Sequence, residues 1–338
     1  MALGLLVVSG TLDVDQFWPK ATSDADTTKV RVDVAPDCFR FRASPDAPSV
    51  VTHVFDNATV RGIGSRPAIE NGQIRVRLQG VGAPELHYRP QAEVKKAEQT
   101  DQQHKLYLKW NFDYRQPLAE TATVALAGRL GATGVRNCRV ETAIDKPEEA
   151  FDSYGRVVGD VIVTVDGHDV NINTWLMESG WTFPSYYNSM SADEIAGLTS
   201  AANEAWAADR GVWPYLEDQL VASKFDWDLR FRGKGAAPNP AHDGGAVLNP
   251  KFFRRLSTWA VNKRAKMVTA NLMGYLRKKK DLVHLTSEYL AQGSGAAPIY
   301  ELVDLFGQGG WFEYWPEEVV YREKPSTIVL PGGAPVVW

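Results

Sequence analysis

Four short stretches of the chain hold residues whose types could do chemistry. They are Asp24-Ala-Asp26-Thr27 ahead of an alternating segment, Arg77-Leu-Gln-Gly-Val-Gly-Ala-Pro-Glu85 after one, Asp152-Ser-Tyr-Gly-Arg156, and Ala205-Trp-Ala-Ala-Asp-Arg-Gly-Val-Trp213 closing a helical pattern. Carboxylates can hold a hard cation through oxygen or take a proton from water. The planar fork of an arginine matches two oxygens of an oxyanion, where a lysine offers only a point charge. Each stretch alone also has a plainer reading. Asp24 and Asp26 suit a simple turn. Arg77 suits a strand surface beside an acid, and Arg156 after Tyr154 and Gly155 suits a turn.

In combination, the order and spacing of these pieces resemble the staphylococcal nuclease (thermonuclease) family over roughly residues 5–216. That family reads Asp-Gly-Asp-Thr, then Arg-x-x-x-x-Asp-x-Pro-Glu, then Asp-x-Tyr-Gly-Arg, then an Ala-rich helix closing on Gly-x-Trp. The resemblance implies an α+β fold, a five-stranded OB-fold β-barrel with packed helices. It implies a nuclease that hydrolyses phosphodiester bonds of DNA or RNA. In such a reaction negative charge gathers on the equatorial oxygens of the transition state, and cations aimed there stabilise it more than the ground state. By resemblance Arg77 and Arg156 are those cations, and Glu85 is the general base or the residue that orients the attacking water. Asp26 would bind Ca2+, with Asp24 behind it and the backbone carbonyl of Ala83 beside it. Tyr154 and Tyr186 match aromatic positions lining the family's nucleotide pocket, where stacking contributes about 1–3 kcal/mol per base.

The chain departs from the family at Gly82, where the motif carries its second calcium carboxylate. One carboxylate, a carbonyl and waters make a weak calcium site, because affinity rises with ligand charge. Mg2+ or Mn2+, held with the help of substrate phosphate, is an alternative to Ca2+. A further alternative is a barrel that has lost its metal and only grips nucleic acid.

These residues need elements to hold them. Alternation predicts strands over 5–13, 27–34, 73–80, 138–144 and 156–165, with Asp166-Gly167 turning into a further strand over 168–172. Helices are predicted over 118–130, over 173–179, and over 191–209, where Ser191 and Glu194 have capping-box spacing. Trp206 and Trp213 are expected in the core, and His87 at the surface. Residues 35–71 read as an insertion carrying a hairpin, and 89–116 is longer than a minimal barrel requires.

The chain has 338 residues, 44% of them apolar and 23% charged, which fits about two globular domains. Two cysteines, Cys38 and Cys138, rule out a disulfide framework, and two buried thiols are expected. No run approaches the ~18 apolar residues of a membrane span. The apolar start merges into an alternating pattern and is expected to be a strand, so a cytoplasmic or non-classically exported protein is expected. A Gly- and Pro-rich break at 232–249 suggests a nuclease-like domain over 1–221 with an insertion at 35–72, a linker over 222–249, and a basic, mainly helical region over 250–338 with an aromatic tail. Ten of the 37 Lys and Arg fall between 251 and 280, where no Asp or Glu lies. The remainder carries 27 basic against 41 acidic residues, so the near-neutral total of −4 averages an acidic part with a basic one. Lys263, Arg264 and Lys278 are expected to touch nucleic-acid phosphates. The alternatives for this face are an acidic protein partner docked through 250–338, or a membrane surface.

Overall fold

The computed structural model describes residues 4–32, 39–42, 47–48, 50–51, 59–61, 71–144, 150–221, 224–235, 242–293, 295–323 and 327–329. In chain order the elements begin with strands β1 (Gly4–Asp13), β2 (Thr27–Val32), β3 (Phe39–Arg42), β4 (Val50–Val51), β5 (Thr59–Arg61), β6 (Gln73–Leu78) and β7 (Gly80–Gly82). Helices α1 (Asp101–Trp110) and α2 (Ala119–Arg129) lead to β8 (Val135–Ile144), β9 (Val157–Val165) and β10 (His168–Asn171). Then come α3 (Ile172–Glu178), β11 (Phe183–Tyr187) and α4 (Ala192–Ala207). The last part holds α5 (Pro250–Arg264), α6 (Leu272–Lys279), β12 (Leu282–Leu285), α7 (Thr286–Gln292), β13 (Tyr300–Glu301), β14 (Val319–Tyr321) and β15 (Thr327–Val329).

Five strands close into a mixed barrel. β1 pairs with β2 and β8, β2 with β6, β6 in parallel with β9, and β9 with β8. Alternation drives the closure: Leu6, Val8 and Leu12 of β1 point inward, while Ser9 and Asp13 face water. In β2, Thr28, Val30 and Val32 are buried between exposed Lys29 and Arg31. This is the expected α+β barrel, with helices packed on it. The Ser191–Glu194 capping box forms, and Ile195, Leu198, Ala201, Ala202 and Ala205 of α4 face the core. At the end of α4 the chain passes so close to Gly180 that a Cβ on Gly211 would collide with the Gly180 carbonyl. Val212 N donates to that same carbonyl at 2.8 Å. The tight passage is the reason for glycine there, and it turns Trp213 into the core, edge-on to Phe183. Trp206 departs from expectation: it is 50% exposed and stands edge-on to Trp315.

The insertion contributes a hairpin, β3 paired with β4, on the free edge of β1. Most of 35–71, with Cys38, lies outside the described residues, and Cys138 is buried on β8. The stretch after 249 is less helical than its sequence suggests, because β12 interrupts it. β12 pairs with β13 and β14, β14 runs parallel to β11, and β11 pairs with β7. One five-stranded sheet therefore spans strands from both parts of the chain. Asn249 caps α5 by accepting from Lys251 N at 3.0 Å, and Pro250 takes the first helical position. Around α5 a second core forms, with Phe252, Leu256 and Val261 packed among Tyr107, Tyr114 and Leu305. The long 89–116 stretch supplies α1, which packs against α5. Among the described residues no helix is long and apolar enough to cross a membrane.

Candidate active site

Arg77 sits one residue before the end of β6 and is almost wholly buried. Its Nη1 donates to the backbone carbonyl of Asp26 at 2.9 Å and lies 2.8 Å from Asp26 Oδ2. The Asp26 carboxylate also accepts from Ala83 N at 2.9 Å and from Thr27 Oγ1 at 3.1 Å. Burial opposes its ionisation, but Arg77, the Ala83 amide, Arg156 and Arg254 outweigh burial and hold the carboxyl below its usual value. Asp24 behaves oppositely. Burial, then the charge of Asp26, push it up to about 7, and its buried Oδ1 has no hydrogen-bond partner among the described residues.

The Asp152–Arg156 loop is built around one carboxylate. Asp152 Oδ1 accepts from the backbone N–H of Tyr154 and of Arg156, each at 2.9 Å. Gly155 takes φ +77°, which lets the chain turn that tightly. Asp152 Oδ2 then accepts from Arg156 Nε at 2.7 Å, and Arg156 Nη1 reaches Thr27 Oγ1 at 3.1 Å. Arg77 and Arg156, 79 positions apart in numbering, thus both lean on the Asp26-Thr27 pair. Tyr154 is 63% exposed, with the Arg156 guanidinium 5.5 Å from its ring centre.

Glu85 is held through its backbone by Gln116, whose Oε1 accepts from Glu85 N at 2.9 Å and whose N–H donates to Glu85 O at 2.8 Å. Its carboxylate is ion-paired with Arg254 Nη1 of α5. Burial raises the Glu85 carboxyl above the ordinary carboxylate range despite the pull of Arg254. Burial would depress the Arg254 guanidinium, but Glu85 and, farther off, Asp26 raise it and keep it charged.

Sequence reasoning missed this second wall. One helical turn before Arg254, Lys251 of α5 lies 4.4 Å above the Tyr321 ring of β14, and Tyr321 stands 5.9 Å from Tyr187. The three-residue step from Lys251 to Arg254 was the available signal, but on a cation-rich helix it reads as a solvated face. Tyr186 is corrected by the same geometry. It is fully buried with its hydroxyl 2.8 Å from Thr199 Oγ1, and strand alternation turns its neighbour Tyr187 toward the arginines instead. His87 is half-buried, with its Nε2 2.8 Å from the Thr22 carbonyl.

The residues present do not fit the calcium that the resemblance implies. Ca2+ takes 6–8 oxygen ligands, carboxylates foremost. Asp26 is engaged by Arg77 and Ala83, Asp152 by Arg156, and Glu85 by Arg254. Gly82 brings no side-chain ligand. Asp24 alone has an uncommitted buried oxygen, and its raised pKa favours the protonated form that a cation would have to displace. Among the described residues no three His, Cys, Asp or Glu side chains converge as a metal site.

The basic stretch is also more committed than its composition suggests. Lys251 and Arg255 pair with Asp281, Arg277 with Asp304, and Lys279 with Glu93. Lys263 donates to the carbonyls of Thr269 and Ala270, and Arg264 lies between the rings of Trp110 and Trp227. Lys278 is exposed near the end of α6. At 1.5 Å per residue, Lys263 stands about 14 Å along α5 from Arg254, away from the arginine site.

Residues 75–215 match the family model described as Staphylococcal nuclease homologue. No curated protein matches the chain. The match takes in Arg77, Gly82, Glu85, Arg156 and the Gly211–Trp213 corner; Asp24 and Asp26 precede it and Arg254 follows it. Together with the closed barrel and the loops it positions, this match makes residues 75–215 similar to the staphylococcal nuclease homologue family.

Proposed function

We propose that this protein hydrolyses phosphodiester bonds in the backbone of DNA or RNA. One observation carries the reading: Arg77 and Arg156 both lean on Asp26-Thr27, and Glu85 follows two residues after the amide that binds Asp26. The two guanidiniums receive the phosphate oxygens, where charge grows in the transition state. Glu85 accepts a proton from the attacking water as its oxygen bonds to phosphorus. The bond to the leaving oxygen breaks, and that oxygen takes a proton from solvent. Burial raises the Glu85 carboxyl, which makes it a stronger base, while Arg254 pulls it back toward the ionised form. Tyr154, exposed beside Arg156, offers a face on which a base can stack.

The test uses purified full chain with plasmid DNA and with single-stranded RNA, in Ca2+, Mg2+, Mn2+ or EDTA. Glu85→Gln is expected to slow cleavage by about 100- to 10,000-fold while nucleic acid still binds, and Arg77→Ala to weaken both. Cleavage indifferent to both substitutions would refute the proposal. A second reading, a nucleic-acid-binding module without turnover, draws support from Gly82 and from the ion pair that engages Glu85. It predicts salt-dependent binding by the native chain and no cleavage under any of these conditions.

A further inference from the structure

We propose that Arg254, brought to the barrel site by α5, takes the part of the divalent cation, so that the phosphate is clamped by three guanidiniums and needs no metal ion. The inference rests on the reading that this site receives a nucleic-acid backbone. It begins at Gly82. A Cβ there would lie 3.3 Å from Ser185 Cβ and 3.5 Å from Pro250 Cγ. The first residue of α5 therefore packs beside the place where a second calcium carboxylate would stand. One turn further along the helix, Arg254 pairs with Glu85 and adds its charge to those acting on Asp26.

The charges are matched one to one: Arg77 with Asp26, Arg156 with Asp152, Arg254 with Glu85. A divalent cation entering this group would meet three fixed positive charges and carboxylates already engaged. Net charge does not favour an entering phosphodiester either, since the set is balanced; what favours it is the hydrogen-bond donors left on the guanidiniums. Among the described residues no hydrogen bond engages Nη2 of Arg77, Arg156 or Arg254, so each retains a donor arm for an incoming oxyanion. Arg254 needs little reordering to do this. Its helix is capped by Asn249, packed on the second core, and joined to the barrel side by Tyr88, whose hydroxyl is 2.9 Å from Thr258 Oγ1. A guanidinium fixed in this way supplies the positive charge a metal would bring, together with directed hydrogen bonds. The family's own motif ends before α5, so the third cation belongs to this chain's C-terminal part.

The experiment measures binding of a fluorescein-labelled, phosphorothioate-linked single-stranded oligodeoxynucleotide to the full chain by fluorescence anisotropy, in EDTA and in millimolar calcium. Affinity is expected to agree within about twofold between the two, and Arg254→Lys to weaken it by about tenfold through loss of the fork. Arg254→Ala is expected to weaken it further and to slow cleavage. Binding that falls more than about tenfold in EDTA and returns with calcium would overturn the proposal, because affinity would then follow the metal. So would tighter binding or faster cleavage by either variant, which would make Arg254 a plug. If both variants lose their native circular dichroism, the EDTA and calcium arms of the native chain still decide. A chain that binds in EDTA through Arg254 but never cleaves upholds the clamp and sinks the nuclease reading. Cleavage abolished by EDTA and restored by calcium does the opposite.

Discussion

Asp26 and Asp24 sit two positions apart and are pushed in opposite directions, one by the arginine it touches and the other by burial without one. Buried ion pairs seldom add much net stability, because desolvation cancels most of the attraction. The three guanidinium–carboxylate pairs are therefore better explained as positioning than as support for the fold. A carboxylate outside the site shows what burial alone does. Asp160 on β9 accepts from Asn171 Nδ2 at 2.8 Å, yet burial pushes it up to about 6. Its folded value lies above the unfolded one, so its contribution to stability is full in acid and is lost as pH rises through about 6. Asp160→Asn is expected to raise stability by about 1–2 kcal/mol near pH 8, with the gain vanishing near pH 3.5. Urea midpoints at the two pH values check this, and equal midpoints at the higher pH would contradict it.

Among the elements, α5 bears the most on function, and its docking depends on one buried amide. Asn262, in its last turn, accepts from Glu93 N at 2.9 Å and donates to the carbonyls of Gln91 and Thr258, each at 2.7 Å. Asn262→Ala strands the Glu93 amide and the Gln91 carbonyl, and is expected to cost about 2–4 kcal/mol, measured by denaturant unfolding. Oligonucleotide affinity should fall in the same variant if α5 shifts, since Arg254 moves with it. The barrel strands were legible because one buried face imposes a period of two, as Leu6, Val8 and Leu12 show. The Asp152–Arg156 loop was legible because its carboxylate satisfies its own backbone. Arg254 was not, because Lys251, Arg254 and Arg255 on a helix look alike whether they meet water or Glu85. Tyr186 was misjudged for a related reason: alternation separates it from Tyr187 but does not say which side faces the site until β14 pairs with β11. β12 was hidden by its brevity, four residues between two helices.

At the scale of the whole molecule, composition promised a basic arm, but folding spends most of its cations on internal partners. Among the cations between 251 and 280, the side chains of only Lys266, Lys278 and Lys280 make no ion pair, hydrogen bond or ring contact with the described residues. Salt dependence distinguishes the two pictures. A clamp that neutralises one phosphate of a single strand gives a slope of log affinity against log salt of about −0.7, whereas ten phosphates neutralised by the basic stretch would give about −7. Anisotropy titrations over a range of salt concentrations read this slope directly, and the shallow value is expected.

The pairing of Glu85 with Arg254, 169 positions later, also sets an order in time. A polypeptide leaves the ribosome N-terminus first, so Arg77, Glu85 and Arg156 emerge well before their third cation. Until Pro250 reaches Gly82 and β14 reaches β11, the barrel has two of its three guanidiniums, and Glu85 lacks its Arg254 partner. On the proposed reading, a chain assembled in this order would lack its full grip on nucleic acid while it is still close to its own messenger, and would gain it only once that late segment has been translated and has docked.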